Sequence, residues 1–315
     1  MNIAYSTTVQ WNPGDELILK GVRNLVNVDH NFIIYNRHPL HKTTVGDNSY
    51  VYPYGKNAID HVIFAGTPDW SSKDQDDLYQ TIHENNIDFS YIGVGGFVDE
   101  HGALFKMGQQ EAHDAFISKA KSRIVRDEHA LSAMEDATLC PCPSLFAFEG
   151  DTPVKNKKKK ICFNLQGPGP IASPNDSVLY KIGFLAKTFK DKYEASIVCH
   201  SFIDFVIASE LKLNPFYSSD SNDYFDYYKQ FDLVIGPRIH GAGWASTLAV
   251  PSITIPHDFR SSTAKHLGSE VIDVDKVEDF FLDIKDKWIK EKSISLIELK
   301  KKWKKEYLEL LDYLQ

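Results

Sequence analysis

Short apolar runs alternate along this chain with longer segments whose apolar residues recur at spacings of three and four. Ile3-Ala4-Tyr5 reads as a strand, and Glu16 to about Leu25 as a helix with Leu17, Ile18, Val22 and Leu25 on one face. His61–Ala65 and Phe89–Ile92 read as strands around a helix at Asp74–Glu84, followed by a helix at Glu111–Ala120 and a short strand at Ile124-Val125. The order then repeats: strand Ile161–Leu165, helix Val178–Phe189, strand Ala195–Cys199, short strand Phe216-Tyr217, helix Asn222–Phe231, strands Leu233–Ile235 and Ser252–Ile255. Strand–helix alternation of this kind predicts parallel sheets and an α/β fold. Between the two halves, Asp151 to Lys160 ends in a lysine run that suits a solvated linker. The expected domains are residues 1–152 and 153–284, followed by a terminal segment at 285–315. In that segment Ile294–Gln315 reads as one amphipathic helix, with Leu296, Leu299, Trp303, Tyr307, Leu310 and Leu314 in a stripe and Lys300 among the lysines on its flanks.

Composition narrows the class. The 315 residues suffice for two ordinary cores, and a hydrophobic share of 43% is that of a globular chain. A formal net charge of −8 argues against a general nucleic-acid binder. No apolar run approaches the roughly 18 residues of a membrane span. The opening residues lack a basic, apolar signal region, and Cys140, Cys142, Cys162 and Cys199 form no disulfide framework, so a cytoplasmic location is expected. Cys140-Pro141-Cys142 lacks a second ligand pair at zinc spacing, and no metal site is expected. The terminal helix is expected to pack back on the body; the rival reading lays its lysines against anionic lipid at the inner face of the membrane.

The chemistry concentrates between Phe231 and Arg260. A buried strand, Leu233-Val234-Ile235, leads through Gly236-Pro237 to Arg238 and His240, and Gly241-Ala242-Gly243 then opens a small-residue helix. Ligands bind beyond the carboxyl ends of parallel strands, where a helix start offers free N–H groups to an anion. A guanidinium and an imidazole added there make a cationic pocket for phosphate or carboxylate. Two structural roles fit the same residues: Arg238 paired with a carboxylate such as Asp232, and His240 as a buried core histidine. As changes in an open site, Arg238→Lys and His240→Asn are expected to leave the protein folded.

The segment D-x-V-I-x-x-R-I-H-G-A-x-x-A-x-x-x-x-V-P-S-I, starting at Asp232, resembles the C-terminal signature of the polysaccharide pyruvyl transferase family. Asn12, Gly14 and Asp15 are similar to that family's N-x-G-D element. Glycine-rich turns follow two strands, at Gly66 and at Gly93-Val94-Gly95-Gly96, and Arg126-Asp127 with Ser132 is similar to its R-[DE]-x-x-S element, with a longer gap. His257-Asp258-Phe259-Arg260 resembles the final loop, and His200 with Asp204 stands where the family has a histidine and an acid. One departure is Cys140–Ser144, where members often carry an aspartate.

The resemblance implies two Rossmann-like domains facing a central cleft, as in glycosyltransferase-B-like enzymes. It implies transfer of pyruvate from phosphoenolpyruvate to a sugar of a cell-envelope polysaccharide or its precursor, with a pyruvate ketal as product and no cofactor beyond the donor. Arg126, Arg238, His240 and Gly241 would hold phosphoenolpyruvate. His240 would transfer a proton, Arg238 would stabilise the leaving phosphate and Asp15 would serve as base. Asn12, Gly14, Asp15, Gly66, Trp70 and Gly95 would face the saccharide acceptor, whether free, nucleotide-linked or lipid-linked. The competing readings are a nucleotide-sugar glycosyltransferase of the same architecture and a non-catalytic carbohydrate- or phosphate-binding protein.

Overall fold

The computed structural model describes residues 1–7, 12–26, 30–36, 59–66, 70, 76–96, 116–150, 159–167, 176–258, 260–283 and 286–314. Several expectations fall outside them: Trp11, Phe259, the linker up to residue 158, the turn from residue 168, and the helix at Glu111–Ala120 except 116–120. By their contacts the residues form two units. One holds residues 18–143, the opening strand and the chain from Lys304; the other holds 144–303 and the start of the first helix through Leu17.

In the first unit β1 (Asn2–Thr7), β2 (Asn31–Asn36), β3 (His61–Ala65), β4 (Asp88–Val94), β5 (Arg123–Val125) and β6 (Thr138–Leu139) pair in parallel in the order β2-β1-β3-β4-β5-β6. The inner strands are buried on both faces, which is why they read as unbroken apolar runs. Ala4, Val62, Phe64, Phe89 and Val125 meet Leu78 and Ile82 of α2 (Asp76–Asn85) in one core. The helix α1 (Pro13–Leu25) begins with proline at its first position, where the missing N–H costs nothing; Asn12 Oδ1 accepts from Gly14 N at 3.0 Å and caps it.

The second unit builds another parallel sheet from β7 (Lys160–Asn164), β8 (Glu194–Val198), β9 (Pro215–Phe216), β10 (Leu233–Gly236), β11 (Ser252–Thr254) and β12 (Glu270–Val271), in the order β12-β11-β10-β7-β8-β9. The chain leaves β7 toward one edge and β10 toward the other, so the strand order reverses between their carboxyl ends. The connecting helices are α4 (Asp176–Lys192), α5 (Phe202–Glu210), α6 (Ser221–Tyr228), α7 (Ile239–Thr247) and α8 (Ser261–His266). Tyr224 and Tyr228 stack on Trp244 of α7 at ring separations of 5.5 and 6.0 Å, a packing use of the spaced tyrosines.

Packing moves the boundary earlier than composition places it. Ala147 joins the core of Trp244 and Leu248, and Phe148 N donates to Thr247 Oγ1 at 2.9 Å, so the chain has entered the second unit well before residue 153. The terminal helix also begins earlier. After α9 (Val277–Asp283), α10 runs Asp286–Leu310, because Trp288 and Ile289 pack against the second unit's core through a stretch that reads as polar.

Lys300 is buried, not on a solvated flank. Its ammonium donates to Thr247 O at 3.0 Å and to Phe148 O, at the carboxyl end of α7, where the helix dipole favours a cation. In the first unit Tyr307, fully buried, donates to Pro141 O at 2.7 Å. Lys300→Met removes the charge and strands buried carbonyls, so it is expected to destabilise the protein by about 3 kcal/mol. A urea unfolding curve matching the parent's would contradict that role.

Two buried histidines make stability depend on pH. Desolvation pushes His61 down to about 4 and, together with the field of Arg238, His200 down to about 3. Both stay neutral, bonded to Ser90 Oγ at 3.0 Å and Tyr228 Oη at 2.8 Å. The unfolded chain takes up these protons below about pH 6.5 and the folded chain does not. Stability should therefore fall as the pH drops from 6.5 toward 4, by about 1.4 kcal/mol per pH unit for each histidine. A urea midpoint unchanged between pH 7 and 5 would contradict the assignment.

Candidate active site

Where the strand order of the second unit reverses, Asn164 ends β7 and Arg238 follows β10. Asn164 Oδ1 accepts from Arg238 N at 2.8 Å. A methyl group at Gly241 would fall 2.4 Å from Asn164 Nδ2, so the glycine of R-I-H-G lets α7 start hard against this side chain. Asn164 therefore fixes the backbone that carries the signature. Its sequence signal, a polar residue ending an apolar strand, was present but carries no motif.

The Arg238 guanidinium is held on two of its nitrogens. Nε donates to Leu165 O at 3.2 Å, and Nη2 to the Asp204 carboxylate at 2.6 and 2.8 Å and to Ser201 Oγ at 3.3 Å. Nη1 has no partner among the described residues. Asp204 is fully buried and also accepts from Gly167 N at 2.7 Å, Ser201 N at 3.2 Å and His200 N at 3.3 Å, completing a capping box with Ser201 at the start of α5. The structural carboxylate is thus Asp204, not Asp232, which instead accepts from Lys160 N at 2.9 Å.

His240 opens the second residue of α7 and is neither fully exposed nor core. Its ring lies on Gly14: a methyl group there would sit 1.8 Å from His240 Nδ1. The N-x-G-D element and the R-I-H-G element therefore meet. Asn12, Gly14 and Asp15, expected on the first domain's side, belong by their contacts to the second unit. Asp15 is buried in the first turn of α1.

The final loop feels the same charges. Burial and the fields of Arg260 and Arg238 together hold His257 below its usual range against the pull of Asp258, and its Nε2 is buried without a partner among the described residues. Burial alone would raise Asp258, but hydrogen bonds from Arg260 Nε at 3.0 and 3.1 Å and from Arg260 Nη2 reverse this and hold the carboxyl low.

In the first unit Arg126 follows β5 and is only 7% exposed. Its Nη1 donates to Cys142 Sγ at 3.8 Å, and no carboxylate pairs with it among the described residues. Asp127 is occupied elsewhere, accepting from Gly96 N at 2.9 and 3.1 Å and from Ala130 N at 2.9 Å as the cap of α3 (Glu128–Ala133). Arg126 lies against Gly95, where a methyl group would fall 2.7 Å from its Nε, and Trp70 Nε1 donates to Gly95 O at 2.9 Å. Trp70, 4% exposed, is a core residue bracing that turn. At Gly66, where φ is +67°, a methyl group would fall 2.0 Å from Ile18 Cγ2, so backbone conformation and packing account for the glycine. Among the described residues no cluster of histidine, cysteine or acidic side chains could hold a metal ion, and no helix is long and apolar enough to cross a membrane.

Two six-stranded parallel sheets with helices, one reversing its order where an arginine and a histidine meet a helix start, define a glycosyltransferase-B-like α/β fold. The chain belongs to the polysaccharide pyruvyl transferase family, whose sequence model matches residues 12–258. Similar folds occur in the glycosyltransferase SnogD from Streptomyces nogalater (13% identity, TM-score 0.55, covering 100% of this chain and 99% of that one) and the spinosyn rhamnosyltransferase SpnG (11%, 0.57, 100% and 99%). A third is UDP-GlcNAc 2-epimerase from Methanocaldococcus jannaschii, solved with UDP-GlcNAc and UDP (13%, 0.55, 90% and 94%). At these identities the likeness concerns the fold. No curated protein matches the chain.

Proposed function

We propose that the protein transfers pyruvate from phosphoenolpyruvate to a saccharide of a cell-envelope polysaccharide or its precursor and closes it as a cyclic ketal. The observation that carries this reading is the approach of His240 to Gly14, which joins the family's two motifs in one site beside an arginine whose Nη1 has no partner among the described residues. The donor carries a carboxylate and a phosphate, and Arg238 Nη1 and the α7 start at Gly241 offer donors to such groups. A proton from His240 to C3 makes C2 electrophilic. A sugar hydroxyl adds there, giving its proton to a base for which Asp15 is the candidate, and phosphate departs with the electrons of its C2–O bond. The resulting cation at C2 is closed by a second hydroxyl, which loses its proton in turn. The sum is one phosphoenolpyruvate and one diol giving one ketal and one phosphate.

The test is acceptor-dependent phosphate release. With phosphoenolpyruvate and a panel of oligosaccharides, at least one acceptor should release phosphate in step with a new ketal methyl signal by NMR. Release without a ketal, or ketal formation by the His240→Asn variant at the parent's rate, would overturn the proposed roles.

A further inference from the structure

A second concave site lies in the second unit, between α4 and the residues leading into α9. It is a shallow, solvent-open hollow of about 360 Å³ lined by Tyr180, Lys181, Phe184, Val274, Asp275 and Glu278 around Leu185. That volume is within the range of small-ligand sites, roughly 300–1,000 Å³. Tyr180 and Phe184 are one helical turn apart and therefore neighbours on the surface of α4, yet they are 63% and 66% exposed. Two large rings left in water at the rim of a pocket mark an interaction surface. On the facing wall Asp275 accepts from Lys181 Nζ at 2.6 Å, while Glu278, half-buried, has no partner among the described residues.

We propose that this pocket binds neutral sugar units of an extended saccharide, a site separate from the one at Arg238 and His240; the choice of ligand rests on the saccharide-acceptor reading above. The ligand must suit both walls. A purely apolar partner would strip water from Glu278 and from the Lys181–Asp275 pair and return no hydrogen bond. An anion meets two carboxylates against one ammonium. A folded protein partner needs about 800 Å² per side, more than two rings and a small hollow supply. A pyranose has the matching character: its C–H face lies on the aromatic rings, and its hydroxyls donate to Glu278 and Asp275 and accept from Lys181.

Native electrophoresis through gels cast with dextran, galactomannan, mannan or mixed-linkage β-glucan tests this on the full chain. The protein should be retarded in at least one of them relative to a blank gel. Tyr180→Ala and Phe184→Ala, both at exposed positions, should each raise the apparent dissociation constant at least about fivefold, and Glu278→Gln should raise it less. Retardation should survive His240→Asn. The proposal is overturned if no gel slows the parent, if the aromatic variants are slowed as much as the parent, or if His240→Asn abolishes the effect. Release by tetramethylammonium chloride, but not by sodium chloride at equal strength, would make the pocket a cation site instead. Phosphoenolpyruvate is absent from these gels, so a protein that binds them through Tyr180 yet ignores phosphoenolpyruvate keeps this site and loses only the donor assignment.

Discussion

Replacing Gly14 with alanine is expected to lower kcat at least about 100-fold while leaving the protein folded. Alanine suits the first turn of a helix better than glycine, so α1 itself should tolerate the change. The added methyl group would stand 1.8 Å from His240 Nδ1, far inside contact distance, and the imidazole must move. A misplacement of about 1 Å in a reacting group costs on the order of 10² in rate. His240→Asn should cost roughly 10²–10⁴ by removing the proton donor. If Gly14 acts through His240, the two effects should not add: in the His240→Asn background, Gly14→Ala should change kcat less than about threefold. Full additivity of the two losses, or a Gly14→Ala enzyme at parental kcat, would separate Gly14 from the histidine.

Arg238→Ala is expected to reduce stability by about 3–5 kcal/mol, the cost of leaving a buried carboxylate without its cation. Asp204 is fully buried and Arg238 supplies its charged partner, so the arginine holds the fold as well as the site. Arg238→Lys is expected to weaken phosphoenolpyruvate binding by about 1.5–3 kcal/mol. Two of the three guanidinium nitrogens are committed to Leu165, Ser201 and Asp204, so the ligand would meet Nη1 and not the whole fork. One ammonium cannot make both sets of contacts. Arg238→Met combined with Asp204→Leu should recover much of the lost stability and no donor binding. An Arg238→Ala protein within 1 kcal/mol of the parent would refute the pairing.

Local pattern revealed what local physics sets. Strands such as His61–Ala65 read as apolar runs because parallel strands are buried on both faces, and α1 read as a helix through the spacing of Leu17, Ile18, Val22 and Leu25. Long-range pairing left no such trace. Asp204 was visible as an acid near a strand end, but nothing near it points to an arginine 34 residues away. Lys300 is hidden for a different reason: within a run of lysines, spacing does not show which ammonium finds buried carbonyls. The N-x-G-D element was legible as a motif and its partner was not, since a glycine's contact with a distant imidazole depends on the tertiary fold.

The donor's identity is the centre of the account, and a thermal-shift titration of the purified protein tests it most directly. Phosphoenolpyruvate should raise the unfolding midpoint in a saturable way, as any ligand that binds only the folded state must, and Arg238→Lys should shift the response to higher concentration. UDP-GlcNAc and UDP-glucose should leave the midpoint unchanged. Stabilisation by a nucleotide sugar with no response to phosphoenolpyruvate would contradict the account and assign the site to glycosyl transfer.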